Sequence, residues 1–177
     1  MREELYQLIP EFQLIEDPSL RELTIRVWQE SVKKGGWKAE DLRDMPFTLL
    51  IPNTAINIIE HTRAVTLTSL KIAEVLSQEY GGRVSVNRDF LLAGAILHDV
   101  GKLFEYAIEH GKFVKSPEGE LQRHPVSGAA FAFKLGIPQE IVHIIAAHSK
   151  EGDGTRRTVE AVIVNHADFV NFDIFRG

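Results

Sequence analysis

Cysteine is absent from these 177 residues, so the chain forms no disulfide, offers no thiolate to a metal and attacks no substrate through sulfur. No apolar run approaches the ~20 residues that a membrane-spanning helix needs. Basic residues are in the minority, 20 against 25 acidic, for a net charge of −5. That balance argues against general affinity for nucleic acid polymers or anionic membranes. The opening "MREELYQLIPEF" has early acids and no basic-then-apolar signal pattern, and the chain is expected to be cytoplasmic. Repeats, low-complexity tracts, a phosphate-cradling P-loop, a dinucleotide fingerprint and a Ser-His-Asp pattern are all missing. What remains is an ordinary globular composition, 44% hydrophobic and 25% charged, and a length that suggests one domain. At this size roughly 70% of the unfolded surface can be buried, enough for a full core.

Periodicity and punctuation read as helices. In "DPSLRELTIRVWQESVKKGG", Asp17 is a cap, Pro18 opens the first turn and Gly35-Gly36 is the stop. A second pattern runs from about Asn53-Thr54 to Tyr80, and a third from about Asn87 to Gly101. "HPVSGAAFAFKLG", "IPQEIVHIIAAHS" and "TVEAVIVNHADFVNF" complete the set. Only "GKFVK" (Gly111–Lys115), between turn-forming residues, reads as extended. The expected fold is an all-α compact helical bundle with one short β-hairpin.

Into this apolar pattern the sequence inserts groups that a core does not tolerate alone. The run from Phe90 to Leu97 leads directly into His98 and Asp99. His148 shares a helix face with Ile141, Ile144 and Ile145, and His61 with Val65, Thr68 and Ile72. Asp168 follows Ala161 and Val164 on a helix with little polar surface, and His124 stands at the start of a Pro-initiated helix. Six metal-competent groups therefore point toward one core, with no matching number of buried cations to neutralise them. Divalent ions would neutralise the carboxylates and use the imidazole lone pairs. Four nitrogens favour Fe, Mn, Co, Ni or Zn over an all-oxygen Mg or Ca cage. The other histidines fit the pattern poorly: His166 lies roughly 200° around the helix from Asp168, His143 roughly 140° from His148, and His110 sits in a loop.

The ordered set His61, His98-Asp99, His124, His148 and Asp168 resembles the HD-domain superfamily of metal-dependent phosphohydrolases. "EHTRAVTLTSLKIAEVL" resembles its first-histidine helix, "AGAILHDVGK" its signature and "VEAVIVNHADFV" its terminal aspartate helix. The resemblance divides the chain into an HD domain over 52–177 and a helical extension over 1–51 that packs on it or covers it as a lid. It implies one metal held by His61, His98, Asp99 and Asp168, and a second held by His124 and His148 with Asp99 bridging. Asp99 is expected to be catalytic, and Lys102, one helical turn or less beyond it, joins it because its ammonium would reach a phosphate oxygen. This chain departs from the family in three places: the Gly-Tyr-Pro signature of the cyclic-dinucleotide phosphodiesterases is missing, Ser149 follows His148, and "VGK" stands where the deoxynucleotidases carry a glutamate.

The expected activity is hydrolysis of a small anionic phosphate ester, a nucleotide, with Lys102 and Arg123 contacting its phosphate. Lys112, Lys115, Lys150, Arg156 and Arg157 join Arg123 in loops flanking the ligand positions, a basic rim that would steer such a substrate. The sequence leaves two alternatives open: a diiron oxygenase built on the same six residues, and a non-catalytic nucleotide-binding module.

Overall fold

In the computed structural model, which describes residues 1–177, α1 (Arg2–Leu8) and a 3-10 turn (Pro10–Leu14) lead into α2 (Pro18–Gly35). Asp17 caps α2 by accepting from the backbone N–H groups of Ser19 at 2.7 Å and Leu20 at 3.2 Å. Gly36, at φ 74°, ends it in the left-handed conformation that glycine adopts without strain. α3 (Asp41–Asp44) is a single turn. α4 (Ile58–Tyr80) begins later than the sequence suggests, because Asn57 and Glu60 form a reciprocal capping box. Asn53, at φ 56°, belongs to the preceding turn.

α5 (Arg88–Leu97), capped by Asn87, also stops earlier than read, at Leu97 rather than Gly101. The chain turns through His98–Gly101 before α6 (Lys102–Glu105). That turn presses backbone against backbone: a Cβ on Gly101 would lie 2.1 Å from the His124 carbonyl oxygen. The expected hairpin pairs β1 (Tyr106–Glu109) with β2 (Lys112–Lys115), antiparallel, Tyr106 opposite Lys115 and Glu109 opposite Lys112. His110 and Gly111 make its turn at φ 51° and 75°. α7 (Pro117–Leu121), a short helix capped by Ser116, is additional to the helices expected from the sequence. α8 (His124–Lys134), α9 (Gln139–Ala147) and α10 (Val159–Arg176) follow.

α5 is the central post. Every residue from Leu91 to Leu97 is buried, enclosed by α2, α4, α9 and α10. Full burial of each such leucine or isoleucine contributes roughly 1.5–3 kcal/mol, so the end of α5 is a rigid platform. The N-terminal segment shares the same core: Leu5, Ile9, Phe12 and Trp28 cluster with Leu92, Ile96 and Ile145. Trp28 donates its indole N–H to the Ile96 carbonyl at 3.0 Å, and Trp37 donates to Leu103 at 2.8 Å. No helix is long and apolar enough to cross a membrane.

Candidate metal centre

Helix ends aim the imidazoles. His98 closes α5 and its Nδ1 donates back to the Ala95 carbonyl at 2.6 Å; His148 closes α9 and donates to Ile145 at 2.7 Å. Both bonds use a carbonyl that the helix terminus leaves free, and both turn Nε2 into the site. His124 opens α8, and its Nδ1 donates to Glu105 Oε2 at 2.8 Å. The same oxygen accepts the His124 backbone N–H at 2.6 Å. His61 comes from the first turn of α4 and Asp168 from α10, with 3.0 Å between His61 Nε2 and Asp168 Oδ1.

Asp99 lies between the two pairs. Its Oδ2 is 3.2 Å from His98 Nε2 and 3.4 Å from His61 Nε2. Its Oδ1 is 3.2 Å from His124 Nε2 and 3.7 Å from His148 Nε2. Two buried groups result, His61/His98/Asp99 and Asp99/His124/His148, each with ligand atoms within 4.8 Å of one another. Asp168, 3.9 Å from His98 Nε2, flanks the first. All six residues singled out in the sequence thus converge.

The donor chemistry tests whether a cation fits. A carbonyl or carboxylate only accepts, so Nδ1 carries the hydrogen in His98, His124 and His148. Their Nε2 atoms then turn lone pairs toward one another and toward a carboxylate. His124 and His148 are 3.3 Å apart through Nε2, and His98 Nε2 faces Asp99 Oδ2 at 3.2 Å. Facing acceptors in a buried site repel unless a positive charge joins them. Imidazoles whose second nitrogen is held by a carbonyl or carboxylate suit a divalent metal. The set fits.

Burial pushes the Asp99 carboxyl up, but the Lys102 ammonium and the neighbouring imidazoles hold it well below the usual carboxylate range. Lys102 itself is buried and donates to Asp99 Oδ2 at 2.6 Å and to the Phe47 carbonyl at 2.5 Å. Burial pulls its ammonium down, yet Asp99 outweighs that and lifts it to about 12. Two of its three N–H donors are engaged, leaving one for the cavity.

The cavity over this centre has a volume of 510 Å³, within the ~300–1,000 Å³ typical of small-molecule sites. Asp99, Lys102, Glu105, His124 and Asp168 are among its lining residues, together with Lys115, Arg123 and Lys150 from the expected basic rim. Three other rim residues do not reach it. Lys112 and Arg156 do not line it, and Arg157 braces the chain after His148 by donating to the Ala147 and Ser149 carbonyls and to Asp153. Arg123 contacts the wall acids, 3.2 Å from Glu105 and 3.6 Å from Glu151. His110 and His166 are exposed, and His143 accepts the Thr158 backbone N–H at 3.3 Å.

Residues 58–171 match the HD domain model. The chain belongs to the HD-domain family. Its similarity to characterised HD proteins is partial in length. The dihydroneopterin 2',3'-cyclic phosphate phosphodiesterase of Methanocaldococcus jannaschii is 41% identical over 113 residues, 63% of this chain and 44% of that protein. Ribonuclease Y of Rubrobacter xylanophilus is 37% identical over 115 residues, 65% of this chain and 18% of that protein. The chain therefore spans under half of the first relative and under a fifth of the second. No solved structure matches it.

The structure adds residues to the site that the sequence does not single out. Glu105 orients His124, and its signal was an isolated acid in "LFEYAI", one turn beyond Lys102. Phe169, Phe172 and Arg176 line the cavity on the same helix as Asp168, at spacings the sequence displays. Phe47, whose ring lies 4.6 Å from that of His61, and Thr48–Leu50 arrive only through tertiary packing and carry no local signal.

Proposed function

We propose that this HD domain is a metal-dependent phosphohydrolase that cleaves a small nucleotide-like phosphodiester. The observation that carries the reading is the paired donor set joined by Asp99 at the floor of a cavity edged with lysine and arginine. Bound divalent ions, drawn from Fe, Mn, Co, Ni or Zn, supply Lewis acidity toward water and phosphoryl oxygens at neutral pH. His61, His98, Asp99 and Asp168 would hold one ion, and Asp99, His124 and His148 the other.

The chain's own residues do the rest. Asp99 stays ionised and takes part in both groups. Lys102, fixed by Asp99 and by the Phe47 carbonyl, keeps one N–H free to bind a non-bridging phosphate oxygen. Arg123 stands at the mouth beside His124, and Lys115 and Lys150 add positive potential there, which draws an anion inward. Phe47, buried against His61, excludes water from one flank. The M. jannaschii relative, by its name, hydrolyses a 2',3'-cyclic phosphate, and that bond type is the substrate we assign here.

The test is Asp99→Asn. The variant should lose both metal content, by elemental analysis, and phosphomonoester release from nucleoside 2',3'-cyclic phosphates, by at least about a thousandfold. Manganese-loaded wild type should turn over without dioxygen. Full turnover by the variant, or none by metal-loaded wild type, refutes the reading.

A further inference from the structure

The cavity wall changes character from end to end. Beyond His124 and His148 it is ionic, with Lys115, Arg123, Lys150, Glu105 and Glu151. Beyond His61 and Asp168 it is made by α10. Phe172 and Arg176 follow Asp168 by one and two helical turns on the same face, and Phe169 adjoins them. At 1.5 Å per residue, Arg176 stands about 12 Å along the axis from Asp168. The Phe47 ring meets Phe172 edge-on at 6.0 Å, and Leu49 and Leu50 continue the lining from there.

Leu49 packs partly against the core, but Phe169, Phe172 and Leu50 are not spent on it. Phe169 and Phe172 are half-buried, Leu50 is 72% exposed, and all three face the cavity. Arg176 lies beside them and forms no ion pair, unlike Arg123 at the other end. A phosphate group gives Phe169, Phe172, Leu49 and Leu50 nothing to contact. A planar ring does: it stacks on a phenyl face, and a guanidinium both covers a ring and donates to its polar edge.

We propose that Phe169, Phe172, Leu49, Leu50 and Arg176 form a subsite for the planar heteroaromatic ring of the substrate. The inference builds on the phosphodiesterase reading, since it assigns the ring and the phosphate of one molecule to two ends of one cavity. The ring lies along α10 past Asp168, and the phosphate sits over Asp99 and Lys102. A purine and a pterin share the chemistry that this wall reads.

The experiment compares three esters: adenosine 2',3'-cyclic phosphate, a dihydroneopterin 2',3'-cyclic phosphate, and the ring-free glycerol 1,2-cyclic phosphate. Each is assayed with wild type, Phe172→Leu and Leu50→Ser; the last changes an exposed side chain and leaves folding intact. Wild type should favour at least one ring-bearing ester, and whichever is favoured identifies the ring. Both variants should lower the ring-bearing to ring-free ratio of kcat/KM, Phe172→Leu by about tenfold, through KM rather than kcat. Equal effects on all three esters would overturn the subsite. Calorimetric titration of the metal-free proteins with the monophosphate products separates the two readings. Binding that weakens in both variants upholds the ring subsite even if no ester is hydrolysed, in which case the phosphodiesterase reading falls alone. Binding that is absent, or equal in all three proteins, removes the subsite whatever the activity.

Discussion

Glu105→Gln tests whether His124 acts in the centre through an acid that holds it. The carboxylate makes three contacts: with the His124 Nδ1–H at 2.8 Å, the His124 backbone N–H at 2.6 Å and Arg123 Nε at 3.2 Å. Burial pushes the Glu105 carboxyl up, but His124 and Arg123 outweigh it and hold it below the usual range, so it is ionised at neutral pH. Glutamine keeps the shape and can still accept, but it loses the charge. Hydrogen bonds to ionised groups contribute about 1 kcal/mol more than neutral ones. For the two bonds to His124 that is about 2 kcal/mol, or roughly thirtyfold in equilibrium terms. The figure falls within the 10–100-fold usual for removing an outer partner of a metal-bound histidine.

The assay titrates manganese into metal-free protein at pH 7.5, with bound metal measured at each free concentration. Binding at the Asp99/His124/His148 end should weaken by about thirtyfold, while the His61/His98/Asp168 end keeps its wild-type affinity. Melting temperatures of the metal-free proteins serve as the control for folding. Superimposable isotherms, or equal weakening at both ends, would refute the assignment of Glu105 to His124 alone.

Gly101→Ala forces a Cβ to within 2.1 Å of the His124 carbonyl oxygen and 2.8 Å of the Gly128 nitrogen, so the turn and α8 must part. It should cost about 1–3 kcal/mol in urea unfolding and lower metal content, and an unchanged midpoint would contradict the packing. In metal-free protein, burial pulls His61 down, but its contacts with Asp168 and Asp99 raise its pKa overall; burial lifts Asp168, but His61 and His98 hold it at about 2. The raised histidine stabilises the fold fully below about pH 6.5 and loses its effect as pH climbs through its folded value; the depressed Asp168 stabilises above about pH 4 and loses its effect as pH falls toward 2. Urea midpoints should therefore plateau between those limits and decline on both sides, while manganese affinity rises over the alkaline range as His61 gives up its proton; a midpoint rising steadily from pH 6 to 8 would oppose this.

What the sequence makes legible follows from the range of the forces involved. Helix starts were readable where a cap is local, as at Asp17, and misplaced where two candidates compete, as at Asn53 and Asn57. The six donors were visible because an imidazole or carboxylate on an apolar face is costly wherever it occurs, and because helical spacing fixes its direction. The end of α5 is illegible for a different reason. Nothing local in "LHDVGK" says that the Gly101 backbone must lie against His124, 23 residues downstream, so the helix reads through to the glycine. Arg157 illustrates the same limit. A basic residue in a loop near His148 reads as a rim cation, whereas in three dimensions it meets two backbone carbonyls first and is consumed there.

The boundaries of the family match divide the site in a way that bears on function. All six donors, Lys102 and Glu105 fall inside residues 58–171, whereas Phe47, Leu49, Leu50, Phe172 and Arg176 fall outside it. The part of the chain that resembles other HD proteins thus builds the centre and one ionic wall. Apart from Phe169, the other wall comes from what flanks the match on either side, and the two flanks touch: Phe47, ahead of α4, packs on Phe172 and Phe175 at the end of α10. Phe47 also supplies the carbonyl that holds Lys102. A change at Phe47–Leu50 would therefore move both this wall and the Lys102 ammonium. If these residues form the ring subsite, exchanging residues in the two flanks should change which ester is preferred while leaving the donor set intact, and steady-state kinetics on ring-bearing and ring-free esters would check it.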